Sequence, residues 1–257
     1  MCAQNSGWKP QAYASYSTGQ ELWAKELIEK LGLEGKESIL DIGCGDGKIT
    51  NYLKESTSGD VVGIDLSEEM IAYAQIQFPN LQFMQMDAQK LSFVEEFDVV
   101  FSNAVLHWVR DHKAVIQGIY KALKPNGKMI LQMGGKGNAK KVFTSLENVI
   151  EEYAEYFDGF SSPYTFYSDV QYLEILQNTG YKQFQAKLIE KDMVHESVDA
   201  FSGWLKTTWF PFIEQLPQQL QEEFVQKWVA QYMLTFPQES DGKVHVEMIR
   251  LEVEAIK

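Results

Sequence analysis

A chain of 257 residues with 45% hydrophobic content is long enough to bury a sizeable core, which excludes a disordered segment or a disulfide-stapled miniature. Its 23 basic and 36 acidic residues leave a formal charge of -13, which would repel nucleic-acid phosphates and anionic membranes, so a small-molecule partner is expected, with no nucleic acid and no membrane. Two cysteines, Cys2 and Cys44, are too few for a disulfide framework; with no basic-then-apolar leader and no apolar run near the roughly 20 residues that span a bilayer, the chain reads as cytoplasmic.

From Ser38 to Met133 short apolar runs alternate with amphipathic stretches, the pattern of repeated strand-helix-strand units around a parallel sheet. "SILDIG" reads as the first strand and "GKITNYLKES" as a helix with Ile49, Tyr52 and Leu53 at helical spacing. "VVGID" is the second strand, and "SEEMIAYAQIQF" is a helix opened by a Ser67 cap with acids in its first turn. "LQFMQMD" and "FDVVFSN" supply two more strands; "HKAVIQGIYKAL" is a helix stopped by "KPNG", and "KMILQM" is the fifth strand. Beyond Gly134, "KKVFTSLENVIEEYAEYF" and "SDVQYLEILQNTGY" are predicted helices and "FQAKLIEKDMVH" a strand. A largely helical stretch from Ser197 to Phe236 carries Trp204, Trp209, Phe210, Phe212, Phe224, Trp228, Tyr232 and Phe236, and precedes a last strand in "KVHVEMIRLEVEAI". It reads as an insertion in which most of these rings form a small core of their own.

Gly43, Gly45 and Gly47 let the chain turn sharply after the first strand and let a ligand approach main-chain amides at a helix start. A dinucleotide loop is spaced G-x-G-x-x-G, whereas this one is G-x-G-x-G with Asp41 two residues ahead of it. A carboxylate there would repel a pyrophosphate, but would accept hydrogen bonds from an ammonium or organise the amides around it. The expected ligand therefore carries an amine and ribose hydroxyls, a description that S-adenosylmethionine fits. Cys44 reads as a small loop filler, since no histidine or lysine neighbours it to lower its pKa.

The ordered motifs "LDIGCGDGKIT", "VVGIDLSEEMIAYA", "FMQMDAQKL" and "FDVVFSNAVLHWV" resemble those of class I S-adenosylmethionine-dependent methyltransferases. The resemblance implies an α/β fold: a Rossmann-like, seven-stranded sheet with its last strand antiparallel and a helical lid inserted before that strand. Residues 1–257 would then form one methyltransferase domain, with an N-terminal flap and helix at 1–35, a cofactor-binding core at 36–133, the lid at 197–236 and the final strand at 243–257. It implies that Asp41, Gly43 and Gly45 face the methionine end, that Asp65 binds the ribose diol, and that Leu66 and Met70 flank adenine. Asp87 and Ala88 would contact the adenine edge, Asn103 would lie near the amino acid moiety and the sulfonium, and Tyr16, in the flap with Tyr13, would reach cofactor or substrate. The residues themselves agree for Asp65, which ends a strand on the ligand edge of an open sheet.

"WKPQAYASYSTGQELWAKELI", "LHWV", "FSGWLKTTWFPFIEQL" and "FPQESDGKVHVEMIRLEVEAI" together resemble the trans-aconitate methyltransferase group, and "SEEMIAYA", "VFSNAVLHWVRD" and the spacing of Tyr13 from Gln20 resemble juvenile hormone acid methyltransferases. Both groups methylate carboxylates. Where the aconitate enzymes carry an arginine before the proline of the lid motif, this chain has Phe210, which suits an acid with a hydrophobic body. A carboxylate is ionised at neutral pH and needs only orienting donors, for which Gln20, His107 and Trp108 are the candidates. With a hydroxyl or carbon acceptor His107 would be the base, and a non-catalytic cofactor sensor is the remaining alternative. His112, beside Asp111, reads as a surface residue at a helix start, Trp8 reads as packing, and His195 and His245 lack ligand-like spacing, so no metal site is expected.

Overall fold

The computed structural model describes residues 8, 10, 11, 18–238 and 240–257. In chain order the elements are α1 (Thr18–Leu31), β1 (Ile39–Ile42), α2 (Lys48–Glu55), β2 (Val61–Asp65), α3 (Glu68–Gln77), β3 (Gln82–Gln85), β4 (Phe97–Asn103), α4 (His112–Ala122) and β5 (Leu123–Gly134). They continue with α5 (Lys140–Ile150), α6 (Asp169–Thr179), β6 (Gln183–His195), α7 (Val198–Thr208), α8 (Phe210–Ile213), α9 (Gln218–Thr235) and β7 (Val244–Ile256). The seven strands form one mixed sheet in the order β3-β2-β1-β4-β5-β7-β6, parallel through β5, with β7 antiparallel to it.

Local chemistry sets the element ends. Ser67 accepts from the amide of Met70 and opens α3, while Ser168 and Gln171 form a reciprocal capping box on α6, which Gly180 ends in the left-handed region. Two predicted boundaries move. β5 starts at Leu123 and takes in the "KPNG" turn, with Asn126 at φ 65, and the helix predicted from Lys140 stops at Ile150, beyond which a 3-10 turn at Glu151–Tyr156 is broken at Tyr153.

The described chain divides into two compact units. The sheet unit comprises 20–136, 164–189 and 250–257. Successive strand residues feed opposite cores: Ile39, Val61, Val99 and Phe101 pack with Ala24, Leu27 and Ile28 of α1, while Leu40, Val62 and Val100 pack with Val115, Ile116 and Ile119 of α4 and Tyr172 and Ile175 of α6. A parallel sheet covered on both faces needs this continuous apolar run. Each such fully buried aliphatic side chain contributes about 1.5–3 kcal/mol.

The helical unit comprises the described residues through Gly19 together with 137–163 and 190–249. Trp204, Trp209, Phe212, Phe224, Trp228 and Tyr232 are buried in it, and Trp228 donates its indole N–H to Ser145 at 3.0 Å. Phe210 is half-buried and packs edge-on against Trp8, ring centroids 5.2 Å apart. No helix among the described residues is long and apolar enough to cross a membrane.

Candidate active site

The glycine loop leaves β1 with Gly43, Gly45 and Gly47 all at positive φ. The amides of Gly43 and Cys44 donate to the carbonyl of Ile64 at 2.7 and 2.9 Å, which ties the loop to the end of β2. Two of the glycines answer to packing within the chain: a β-carbon on Gly43 would meet Val105, and one on Gly47, which starts α2, would lie 2.9 Å from Phe83. Cys44 is buried, and burial followed by the charges of Asp65 and Asp41 pushes its thiol well above the ordinary range, in keeping with a filler.

The two acids divide the work differently from expectation. Asp65, not Asp41, organises the loop amides: its Oδ2 accepts from Gly45 at 3.0 Å and its Oδ1 from Ser67 at 2.9 Å. Burial raises its pKa against the pull of those amides. Asp41, 2% exposed, accepts the hydroxyl of Thr50 at 2.7 Å and has its pKa raised to about 7, chiefly by burial, with the Thr50 bond opposing and the charge of Asp65 adding.

At the end of β4 the side-chain amide of Asn103 donates to the backbone carbonyl of Gln20 at 2.9 Å, which brings α1 to the strand tip. Ala104 follows at φ 60, its amide on the carbonyl of Gln132, and the chain then forms a 3-10 turn at Leu106–Trp108. His107 is buried in that turn; its Nδ1 accepts from the amide of Gly134 at 3.3 Å, and its carbonyl accepts from Thr165 at 2.8 Å. Around it stand Trp108 and Tyr164, each with its ring 5.9 Å away, and Phe166 at 6.2 Å. Burial, then the charges of Arg250 and His112, hold its pKa well below 6.5, so the imidazole is neutral.

His112 is a correction. It is fully buried and not a surface residue, its Nδ1 2.9 Å from the Tyr172 hydroxyl and its ring 4.3 Å from that of Tyr167, while Asp111 beside it supplies the cap by accepting from Ala114. Asp87 caps a 3-10 turn at Ala88–Lys90 by accepting from the amide of Gln89 at 2.9 Å. Next to Asp65, Leu66 is 64% exposed, whereas Met70 is buried. Tyr13 and Tyr16 lie outside the described residues. Sequence reasoning missed Thr50, Tyr164, Phe166 and Arg250; the dense aromatic run "PYTFY" was the one available signal. Among the described residues no group of three or more histidines, cysteines or acids is placed to hold a metal ion.

Residues 40–131 match a family model described as a methyltransferase domain. Over 185 residues the chain is 31% identical to "Putative methyltransferase 235L" of Invertebrate iridescent virus 6, spanning 71% of this chain and 69% of that protein. The chain belongs to the methyltransferase family. This methyltransferase is also 26% identical over 254 residues to the trans-aconitate 2-methyltransferase of Escherichia coli, covering 97% of this chain and 98% of the relative. Among solved structures its fold is similar to that of a Haemonchus contortus phosphoethanolamine N-methyltransferase 2 in complex with S-adenosyl-L-methionine, with a TM-score of 0.63 and 20% identity over 96% of this chain and 56% of the other. The Bacillus subtilis YcgJ protein gives a TM-score of 0.61 at 14% identity, covering 93% and 97%.

The methyl donor of the enzyme is S-adenosylmethionine, and the strand tips fit it. Gln20 Oε1 and Asn103 Oδ1 are buried with no hydrogen-bond partner among the described residues, acceptors that an ammonium group satisfies. With the carboxylates of Asp41 and Asp65 they make a set of acceptors suited to a cation that also carries hydroxyls.

Proposed function

We propose that the enzyme transfers the methyl group of S-adenosylmethionine to the carboxylate of a small, partly hydrophobic acid. The observation that carries this reading is the state of His107. Its Nδ1 is engaged by the amide of Gly134, which leaves the N–H on Nε2, and burial opposes protonation of the ring. Such an imidazole donates a hydrogen bond and is a poor base. It suits an acceptor that is already ionised, as a carboxylate with a reference pKa of about 4 is at neutral pH. The name of the Escherichia coli relative supports the same class of acceptor.

Bound S-adenosylmethionine supplies an electrophilic methyl group on a sulfonium. In this reading Asp41, Gly43 and Gly45 hold its methionine end, Asp65 takes the ribose hydroxyls, Leu66 and Met70 flank the adenine, and Asp87 and Ala88 meet its edge. Asn103 sits beside the amino acid moiety, and Tyr16 comes from the N-terminal segment. Gln20, His107 and Trp108 orient one carboxylate oxygen, while the apolar rings around His107 keep water from it, and orientation with desolvation accounts for much of the acceleration.

Incubation with methyl-labelled S-adenosylmethionine and a panel of monocarboxylic acids tests the proposal. Label released by mild base is expected, because methyl esters hydrolyse. Label that survives base would place the methyl on oxygen of a hydroxyl, on nitrogen or on carbon, and would overturn it; binding of the donor with no transfer to any acid would point to a sensor.

A further inference from the structure

We propose that the helical unit carries a second ligand site, a groove between α7, α8 and α9 that takes a small organic cation: a primary ammonium on an apolar body about the size of one ring. None of its residues is among those that hold the methyl donor or orient the acceptor in the reading above, so the two stand or fall separately.

The groove offers about 170 Å3. A cavity of about 150 Å3 is enough to hold benzene, so the space suits a single ring or a short branched chain. Its apolar wall is made by Phe210 and Ile213 of α8 and Val225 of α9. Ile213 and Val225 are buried in the core of the helical unit, and Phe210 is half-buried, so the wall is held by packing beneath it.

The polar lining has spent its donors and kept its acceptors. The ammonium of Lys206 donates to both oxygens of Glu222, at 3.0 and 2.7 Å. The Thr207 hydroxyl donates to the carbonyls of Gly203 and Trp204 in its own helix, and the side-chain nitrogen of Gln221 donates to the carbonyl of Leu216 at 3.0 Å. What remains is the carbonyl oxygen of the Gln221 side chain and the carboxylate of Glu214, which is exposed and makes no hydrogen bond or ion pair among the described residues. Open acceptors call for a ligand that donates, and an ammonium brings three N–H groups.

Charge points the same way. Glu214 and Glu222 set two carboxylates against the one cation of Lys206, which leaves a negative charge in excess on a chain whose formal charge is already -13. An acid is repelled there and a cation is drawn in.

Titration of the full chain with benzylamine tests the site, followed in nitrogen-15 amide spectra with S-adenosylhomocysteine saturating, so that the acids of the glycine loop are occupied. Benzyl alcohol, an isostere without the charge, and benzoate, with the opposite one, are the comparison probes. Benzylamine is expected to shift the amides of Thr207, Ile213 and Val225 and to bind about two- to fivefold more tightly than benzyl alcohol, the range of an exposed ion pair, with the advantage shrinking as salt is added. Benzoate should bind most weakly of the three. Glu214→Gln should erase the advantage of the amine over the alcohol, and Lys206→Ala, which leaves Glu222 without its cation, should widen it. Both of these side chains are exposed, and the same spectra report whether the variants are folded. Benzoate binding as tightly as benzylamine, an advantage that survives Glu214→Gln, or one that does not widen in Lys206→Ala would each overturn the site, as would shifts confined to residues outside the groove or no saturable shift with any probe.

Discussion

The side chain of Val105 fills the place that a β-carbon on Gly43 would take. The loop after β1 and the turn after β4 are thus fitted to each other. Gly43→Ala must displace Val105 and also hold φ 74, so it is expected to destabilise the protein by about 2–4 kcal/mol, read from urea unfolding. Adding Val105→Ala relieves the overlap and leaves the backbone penalty, so part of the loss should return. A neutral Gly43→Ala would show that this contact is not the constraint.

Asp41 titrates at about 7 in place of the ordinary 3.8 because burial disfavours its carboxylate. The folded chain holds this proton more tightly than the unfolded chain, so the contribution of Asp41 to stability falls as the pH rises from about 4 to about 7. Asp41→Asn keeps an oxygen for Thr50 and removes the titration. Melting curves without ligand should show the variant a few degrees more stable than wild type at pH 8, with the difference shrinking toward pH 4, and calorimetry should show weaker donor binding. A pH-independent difference would contradict this account.

His107, held well below 6.5 by burial and then by Arg250 and His112, carries no charge at neutral pH. From pH 6.5 upward kcat/KM should show no inflection from this group. His107→Gln, which still donates a hydrogen bond, is expected to stay within about tenfold of wild type, whereas removal of a true general base would cost on the order of 100-fold or more.

Two further imidazoles set the acid limit. His112 and His195 titrate at about 4 because burial disfavours their cations, so the unfolded chain takes up these protons first as the pH falls. The stability they confer is fully present above pH 6.5 and is lost on the way down to about 4. Each should remove about 1–2 kcal/mol between pH 7 and pH 5, visible as a falling urea midpoint. His112→Phe should make that fall shallower, at the cost of a lower plateau from the lost bond to Tyr172.

The glycine loop and the acid at the end of β2 were legible because they are local. Strand, glycine turn and helix follow one another from Ile39 to Glu55, and an acid at a strand end, Asp65, announces itself by the periodicity before it. His112 was misread for a reason equally physical: a residue beside a cap normally faces water, but here Tyr172, sixty residues later, closes over it. Arg250 and Tyr164 were invisible on similar grounds. The arginine sits in a strand whose alternation is that of any half-buried sheet, and Tyr164 and Phe166 lie in a stretch without helix or strand periodicity, placed by the bond from Thr165 to the carbonyl of His107.

The antiparallel entry of β7 has a consequence for how such a site comes into being. Parallel strands bring their final residues to the ligand edge, while β7 runs the other way, so that its middle residue, Arg250, pairs with Gly134 at the end of β5 and six residues of the strand follow it. During synthesis every element of the glycine loop, β2 and β4 leaves the ribosome before β7 exists. The glycine loop and the acids beside it can therefore be in place in a chain that still lacks the strand that pairs with β5 on its far side.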